Sequence, residues 1–330
     1  MTFSANLKEH TLTNIMNDIA STDRTKHHQQ LHAAIASVNQ LILGKKQQVK
    51  LAFTALIADG HLLIEDLPGV GKTTLAEAIA LVSGLAFKRV QFTSDLLPAD
   101  LIGVSVYSAK KEEFLFHPGP VFTQVLLADE VNRATPKAQS ALLEAMSERQ
   151  VTVENETYPL DPPFFVIATQ NPVDLAGTFP LPDSQLDRFL MRISVGYPDA
   201  AAERQILERT NRRGMLSGLQ ASLDATAIDS LQSEASALHL AGPLLDYAQA
   251  LIAATRNHAS VQVGLSPRGG LALVRCAQAW ALIDGRDYCR PEDLREVFAE
   301  VTSHRLQLTA DATSSNDQIV GDILGATAIP

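Results

Sequence analysis

The sequence predicts an α/β fold, in which a parallel sheet covered by helices on both faces is followed by a smaller all-helical domain. Strand-like and helical segments alternate between about residue 60 and residue 199, which is the pattern of a parallel sheet. Two of the strand-like segments are continuously apolar, as strands buried on both faces are. The predicted parts are an N-terminal tail (1–26), the α/β core (27–199), a helical lid domain (200–310) and a C-terminal tail (311–330).

The core elements follow from the spacing of apolar residues. Helical spacing predicts one helix from Leu31 to Gly44 and a second from Gln47 to Asp59. The later predicted segments are strands at 61–65, 87–92, 125–129, 164–169 and 190–195, and helices at 72–82 and 136–149. The stretches GVSVYS (103–108) and FLFH (114–117) flank a charged turn, which predicts a β-hairpin.

The segments after Pro198 are typical of a helical domain. The predicted helices are 200–213, 224–237, 243–258, 268–284 and 291–300. One stretch, VQVGL (261–265), has the character of a short strand.

Composition limits the function classes. The chain has 330 residues, of which 46% are hydrophobic and 19% are charged, as in a folded globular protein. Its net charge of −10 and the absence of a lysine/arginine block argue against sequence-independent nucleic-acid binding. Cys276 and Cys289 lack the spacing of a zinc site, so we expect two reduced thiols in a cytoplasmic protein. We expect neither a signal peptide nor a membrane span.

A phosphate-binding loop is predicted at "EDLPGVGKTT" (65–74), between an apolar strand and a helix. Asp66 stands where the motif ordinarily has its first glycine, but aspartate tolerates unusual backbone angles better than most residues. Lys72 would reach the β- and γ-phosphates, and Thr73 would hold Mg²⁺ through its hydroxyl. The residues predicted to bind the nucleotide in this loop are Pro68, Gly69, Val70, Gly71, Lys72, Thr73 and Thr74.

Hydrolysis is predicted by the acidic end of a second strand. In "VLLADE" (125–130), Asp129 would hold Mg²⁺ and Glu130 would orient the attacking water. A protein that only binds nucleotide has no need of the glutamate. Asn171, after the strand 164–169, is a candidate to bridge the γ-phosphate and the water. The alternative for Asn171 is an ordinary turn residue before proline.

Two arginines are candidates for stabilising charge on the transferred phosphate. Arg188, in "LPDSQLDRF", could reach the γ-phosphate of a neighbouring protomer as an arginine finger, although a surface salt bridge to Asp187 or Asp183 is the alternative. Arg268, in "LSPRGG", opens a helix of the second domain. A helix N-terminus is an unfavourable place for a cation, which favours a functional reason for Arg268.

Several long stretches, in the same order along the chain, resemble the AAA+ ATPase superfamily and most closely its MoxR family. The stretches include "GHLLIEDLPGVGKTTLA", "QFTSDLLPADLIG", "LLADEVNRATPKAQSALLEAMSERQVTV", "ATQNPVDLAGTFPLPDSQLDRFLMRISVGYP" and "SPRGGLALVRCAQAWALIDGRDYCRPEDL". The resemblance covers roughly residues 30 to 305. A glutamate–aspartate pair before "LPGVGKT" is usual in this family.

The resemblance implies a five-stranded core of order 5-1-4-3-2, a helical lid and an oligomeric ring, typically a hexamer. It assigns Walker A to 66–73, Walker B to Asp129 and Glu130, sensor 1 to Asn171, the arginine finger to Arg188 and sensor 2 to Arg268. Residues 96–120 would contain the helix-2 insert shared with the magnesium chelatase ATPase subunit. In this clade the lid is displaced, so Arg268 could serve a neighbouring protomer, and Arg133 is a second candidate for interface work.

The resemblance further implies ATP and Mg²⁺ as cofactors and a chaperone-like role on protein substrates. Its usual partner is a protein with a von Willebrand factor A domain, and this chain contains no DxSxS metal-site motif of such a domain. The alternatives are a nucleic-acid-directed motor, a non-catalytic assembly switch and a small-molecule kinase. A GTPase is excluded because no NKxD-like base-reading motif follows the phosphate loop.

Overall fold

The computed structural model describes residues 23–171, 177–208 and 212–329. The N-terminal tail predicted for residues 1–26 lies outside the described residues except for 23–26, which belong to the first helix. The elements of the first part are α1 (23–41), α2 (Lys46–Ile57), β1 (Leu62–Glu65), α3 (Lys72–Val82), β2 (Phe87–Gln91), α4 (Pro98–Ile102), β3 (Gly103–Ser108), β4 (Glu113–Pro118), β5 (Val125–Asp129), α5 (Pro136–Glu148), β6 (Gln150–Val153), β7 (Glu156–Pro159), β8 (Phe165–Gln170), α6 (Asp183–Leu186) and β9 (Met191–Ile193).

Five strands form one parallel sheet in the order β2-β5-β8-β1-β9. Numbered along the chain, this is the predicted order 5-1-4-3-2, so the fold prediction is confirmed. Every residue of β5 is buried, and β8 is buried up to its last residue. The two segments that read as continuous apolar runs therefore lie side by side in the interior of the sheet, with helices on both faces.

Two antiparallel hairpins extend from the core. The predicted hairpin is present as β3 and β4, in register from Gly103 opposite Pro118 to Ser108 opposite Glu113. A second hairpin, β6–β7, was not predicted from the sequence. Its two-residue turn begins at Glu154, whose φ of 56° is the left-handed conformation that tight hairpin turns require. Turn propensity did not predict this hairpin, because its two-residue turn lacks the usual glycine.

The second part of the chain is mostly helical. Its elements are α7 (Ala200–Glu208), α8 (Arg212–Ser217), α9 (Ala225–Ser236), α10 (Gly242–Asn257), β10 (Val261–Val263), α11 (Pro267–Ile283), α12 (Pro291–Thr302), a 3₁₀ turn (Ser303–Arg305), β11 (Gln307–Leu308) and α13 (Asn316–Ala326). The short strand predicted at 261–265 is β10, which pairs antiparallel with β11. The domain boundary at 199 stays a prediction, since one continuous hydrophobic cluster includes residues from both parts.

Helix α13 corrects the prediction of a C-terminal tail from residue 311. Ser315 and Gln318 form a capping box at its start, and Ile319, Val320 and Ile323 are buried on one face. This spacing and the S-x-x-Q cap are ordinary helix signals. The helix is short, and its stability comes from packing on α10 and α12, which the chain order alone did not reveal.

The helical part packs directly on the core through α2 and α11. The ammonium of Lys50 lies 3.6 Å from the centre of the Trp280 ring and 2.5 Å from the Asp284 carboxylate. Arg275 of α11 donates to the carbonyls of Ala58 and Asp59 at the end of α2. These contacts hold the lid helices against the face of the sheet that α2 covers.

His61, just before β1, joins three elements in the interior. Its Nε2 lies 3.0 Å from the carbonyl of Met146, and its Nδ1 accepts the backbone N–H of Val166 at 3.1 Å. These partners require a neutral ring with the proton on Nε2, because the carbonyl accepts and the amide donates. Burial lowers the pKa of His61 to about 4.

We predict that His61 makes stability depend on pH between about 6.5 and 4. The unfolded chain takes up the proton near pH 6.5, whereas the folded protein resists it until pH falls to about 4. Stability from the neutral ring is therefore complete above pH 6.5, declines as pH falls, and has lost roughly 3 kcal/mol below pH 4.

The measurement is the unfolding free energy from urea titrations at pH 7 and pH 4.5, in wild type and His61→Gln. Wild type should lose more stability on acidification than the variant, because the other titrating groups are common to both. Equal losses in the two proteins would show that His61 does not carry this pH dependence.

Candidate active site

The phosphate loop forms an open cradle between β1 and α3. Gly69 has φ +84° and Gly71 has φ +100°, and a Cβ built on either would meet nothing within 4 Å. The two glycines therefore serve the backbone conformation and leave the space above them free. Gly71 is also the N-cap of α3, so the positive end of this helix faces the cradle. An anion such as a phosphate fits this arrangement.

Asp66 has a structural task that a glycine could not perform. Its side chain is buried, and its Oδ1 accepts the backbone N–H of Leu67 at 2.7 Å. Its Oδ2 accepts the hydroxyl of Ser194 at 3.1 Å and the backbone N–H of Gly196. The residue that departs from the usual loop motif thus ties the start of the loop to the segment after β9.

Lys72 points into the loop from the first turn of α3. Its ammonium donates to the carbonyl of Asp66 at 2.6 Å and lies 3.4 Å from that of Gln170. Burial lowers the pKa of Lys72, and the charges of Asp66, Asp129 and Glu130 partly oppose this shift. The ammonium thus lies within electrostatic range of both acidic residues at the end of β5.

The acidic pair at the end of β5 is held by neighbouring strands. The Oδ1 of Asp129 accepts the hydroxyl of Thr169 at 2.6 Å, and its Oδ2 accepts Nη2 of Arg89 at 2.6 Å. The same Thr169 hydroxyl accepts the backbone N–H of Glu130 at 2.8 Å. Sequence reasoning missed Thr169 and Arg89, although Thr169 belongs to the quoted stretch "ATQNP" and Arg89 to a recognised strand.

Glu130 sits in a left-handed backbone conformation, with φ 57°. Its Oε2 accepts the side-chain amide of Gln91 at 2.8 Å and lies 3.1 Å from Nε of Arg133. A non-glycine residue in this conformation carries strain, which is common at functional sites. Arg133, a candidate for work between protomers, is here a partner of Glu130 within the same chain.

The remaining nucleotide-site candidates lie at the same edge of the sheet. Thr73 is the second residue of α3, and Asn171 directly follows β8. Pro68, Val70 and Thr74 lie in or beside the loop, where Val70 and Thr74 line a small pocket with Leu41, Ile42, Pro198 and Ile206.

The oxygen donors fit Mg²⁺. The Thr73 hydroxyl and the Asp129 carboxylate are hard ligands at the carboxyl ends of β1 and β5, which only β8 separates. Within the described residues no three His, Cys, Asp or Glu side chains form a metal cluster. Proteins usually bind Mg²⁺ through one or two carboxylates together with substrate phosphates.

Arg188 lies at the amino-terminal ends of the parallel strands, whereas the phosphate loop lies at their carboxyl-terminal ends. It precedes β9, whose first residue Met191 pairs with Leu62, the first residue of β1. The loop follows the other end of β1, about 13 Å away along the strand. The guanidinium of Arg188 donates to the carbonyl of Leu143 at 2.7 Å and to the hydroxyl of Ser147 at 2.5 Å. The alternative salt bridges are not formed, since Asp187 pairs with Arg305 and Asp183 with Gln307.

Arg268 is exposed at the start of α11, and its charge is close enough to act on the guanidinium of Arg305. The next residue, Gly269, packs so closely on Arg305 that a Cβ there would lie 3.2 Å from its Cδ. Arg305 in turn contacts residues 187–190. The structure therefore brings the two candidate arginines to one side and the other candidates to the carboxyl edge of the sheet.

Comparison with known proteins identifies the family. Residues 61–191 match the ATPase family associated with various cellular activities (AAA), and residues 253–323 match the AAA lid domain. The chain is 41% identical over 314 residues to chaperone MoxR1 of Mycobacterium tuberculosis, covering 91% of this chain and 82% of that protein. It is 33% identical to protein MoxR of Paracoccus denitrificans, covering 91% and 95%. The chain belongs to the MoxR family of AAA ATPases.

Two further proteins are similar to this chain over nearly its whole length. A Bacillus subtilis protein, YeaC, is 43% identical over 92% of this chain and 96% of its own length. The crystal structure of a candidate ATPase from Cytophaga hutchinsonii superposes with a TM-score of 0.88 at 36% identity, covering 96% of this chain and 99% of that one. In the described parts of this MoxR-family chain, no helix is long and apolar enough to cross a membrane.

We predict that Thr169→Val weakens Mg²⁺ binding without weakening metal-free nucleotide binding. The substitution removes the hydroxyl that holds the Asp129 carboxylate and the Glu130 backbone. Loss of a group that orients a metal ligand typically costs roughly 10-fold or more in metal affinity. ADP titrations by calorimetry, with Mg²⁺ and with EDTA, measure both quantities.

Thr152→Val is the matched control, because Thr152 is exposed in the β6–β7 hairpin and its hydroxyl bonds to that of Thr157, away from the candidate site. This variant should behave as wild type in both titrations. If Thr169→Val lowered ADP affinity equally with and without Mg²⁺, Thr169 would support the fold of the site rather than the metal ligand.

Proposed function

We propose that this protein is an ATPase that hydrolyses ATP with Mg²⁺ in an oligomeric ring, a hexamer by analogy with its family, with each active site shared by two protomers. One observation supports this most directly. Lys72, Asp129 and Glu130 lie at the carboxyl edge of the sheet, whereas Arg188 precedes β9 at the opposite edge. With this geometry Arg188 cannot reach the phosphate loop of its own protomer, but the Arg188 of a neighbouring protomer in a ring can reach it.

The residues of the chain have separate roles in this reaction. The loop 68–74 and Lys72 bind the phosphates, while Thr73 and Asp129 would hold Mg²⁺, which neutralises charge that develops on the phosphates. Glu130 polarises the attacking water, and Asn171 holds that water against the γ-phosphate. Arg188 of a neighbour stabilises the transferred phosphoryl group, and Arg268 contacts the same nucleotide from the neighbour's lid.

Glu130 must turn from its resting contacts before it can act on water. Gln91 and Arg133 hold its carboxylate in the structure, and both partners are at least partly accessible to solvent. This contact also favours the second candidate, an ATP-dependent assembly switch with slow turnover. The two candidates differ in whether ring formation raises the hydrolysis rate.

We propose that the energy of hydrolysis remodels or matures protein complexes, together with a partner that carries a von Willebrand factor A domain. A named chaperone among the relatives supports a protein substrate. Tyr107 and Phe114 form an exposed aromatic pair near the tip of the β3–β4 hairpin, with ring centres 5.4 Å apart. Exposed aromatic surface of this kind favours protein contact, whereas the net charge of −10 disfavours a nucleic-acid track.

We predict that three substitutions separate binding from turnover. Lys72→Ala should lose nucleotide affinity, and Glu130→Gln should keep affinity but lose turnover. Arg188→Ala should keep affinity and lose turnover roughly 10³-fold, because it removes charge stabilisation supplied across the interface. The measurements are ADP affinity of each variant and ATPase rate at increasing protein concentration, beside light scattering.

Wild-type turnover per protomer should rise with concentration as the ring assembles. Normal turnover in Arg188→Ala would contradict the shared active site. Tight ATP binding with a flat, near-zero rate at every concentration would favour the assembly switch. Stimulation of the rate by DNA or RNA would instead favour a nucleic-acid motor.

A further inference from the structure

The segment that carries Arg188 is held by a buried clasp from the lid. The clasp consists of His304 and Arg305, in the 3₁₀ turn after α12, and the finger segment is residues 187–190. Arg305 lies with 4% of its side chain exposed, which is unusual for an arginine. A guanidinium is buried only where carboxylates and carbonyls satisfy its donors, so its contacts indicate what it holds.

Nearly all the donors of Arg305 are used on the finger segment. Its Nε donates to the Asp187 carboxylate at 2.6 Å, and its Nη2 donates to the carbonyl of Phe189 at 2.6 Å. Its Nη1 donates to the carbonyl of Leu190 at 3.1 Å and to that of Val301 in its own element. The Nε2 of His304 reaches the same Phe189 carbonyl at 3.2 Å. Two adjacent lid residues thus fix the backbone on both sides of Arg188.

The clasp also touches the helix that carries Arg268. The Cδ of Arg305 lies where it would contact a Cβ at Gly269, one residue after Arg268. Below the clasp, the side-chain amide of Asn316 in α13 donates to the carbonyls of Ser303 and Leu306 and so supports the turn itself. One buried guanidinium therefore contacts both the segment that carries the partly buried Arg188 and the helix that begins with the exposed Arg268.

We propose that Arg305, assisted by His304, is a positioning residue that fixes Arg188 and Arg268 as one rigid unit for the active site of the neighbouring protomer. This proposal rests on the shared active site described above. The role of Arg305 is indirect, because its guanidinium is buried against the finger segment. It acts through the backbone of the finger segment. Its loss should therefore leave the nucleotide site of the same protomer intact and impair the nucleotide site of the neighbouring protomer.

The test uses Arg305→Lys and Arg305→Met in the full-length protein. Lysine keeps a charge near Asp187 but replaces a planar fork with one ammonium, so it cannot reach the same set of carbonyls. A displacement of a reacting group by about 1 Å can cost roughly 100-fold in rate. We therefore expect both variants to bind ADP as wild type does and to lose about 100-fold or more in turnover.

Arg286→Met is the matched control for losing a buried ion pair in the lid. Arg286 pairs with Asp293 at 2.6 Å, with 14% and 3% of the two side chains exposed, and its other contacts are with Asp284 and Tyr288. Its removal should lower the melting temperature as removal of Arg305 does. It should leave turnover per folded protomer within about twofold of wild type, because the finger segment is untouched.

Mixed rings separate positioning from misfolding. Protomers of Arg305→Lys have an intact nucleotide site, and protomers of Glu130→Gln have an intact finger segment. Mixed one to one before assembly, about a quarter of the protomers combine an intact site with an intact neighbour. We expect this mixture to recover turnover toward that fraction of wild type, although each variant alone is inactive. Arg188→Ala mixed with Glu130→Gln should recover in the same way.

The outcomes distinguish the two proposals. Wild-type turnover in Arg305→Lys and Arg305→Met would overturn the positioning role, and so would recovery in the Arg188→Ala mixture without recovery in the Arg305→Lys mixture. Failure of both mixtures, with all variants binding ADP and assembling, would overturn the shared active site itself and the positioning role with it.

Discussion

The parallel pairing of β1, β5 and β8 is the constraint on which the candidate active site depends. Because the three strands run in one direction and lie side by side, their carboxyl ends meet at one edge. The phosphate loop, the acidic pair and Asn171 each follow one of these ends. Residues about 100 positions apart in the sequence are therefore neighbours, because the strands themselves bring them together. Because β9 pairs in parallel with β1, the residues before β9 lie at the opposite, amino-terminal ends of the strands.

Hydrogen bonds between neighbouring strands then refine the position of each group. The Thr169 hydroxyl holds the Asp129 carboxylate and the Glu130 backbone at once, and Arg89 holds the other carboxylate oxygen. Asp66 ties the start of the phosphate loop to residues 194 and 196, which lead from the sheet toward α7. The candidate nucleotide site is thus supported by the strands on both sides of β5 and by the connection from β9 to the lid. Such supporting groups decide whether ligands are held within the few tenths of an ångström that chemistry requires.

The C-terminal part of the lid supports the opposite ends of the strands, where Arg188 lies. The clasp of His304 and Arg305 holds the finger segment 187–190, and α13 supports the clasp from below. A helix that the sequence presented as a tail is therefore part of the framework behind the arginines. In this arrangement the clasp joins the lid to the core at residues 187–190.

The order of elements was readable in the sequence because local patterns carry it. Continuous apolar runs marked β5 and β8, the loop motif marked Lys72 and Thr73, and the Asp-Glu pair marked the end of β5. The β6–β7 hairpin and α13 were missed, since a turn without glycine and a short helix are stabilised by tertiary packing more than by propensity.

The sequence by itself determined the fold class, the order of the sheet through its family resemblance, and the residue types that we expect to bind phosphate and Mg²⁺. Only the tertiary structure decided which partners hold these residues and which edge each one faces. No local sequence pattern marks Thr169 or Arg305. Their roles come from their partners on other elements, Asp129 and Phe189, which are 40 and 116 residues away. A local pattern records what a residue can do, whereas burial and contacts across the fold decide what it is used for.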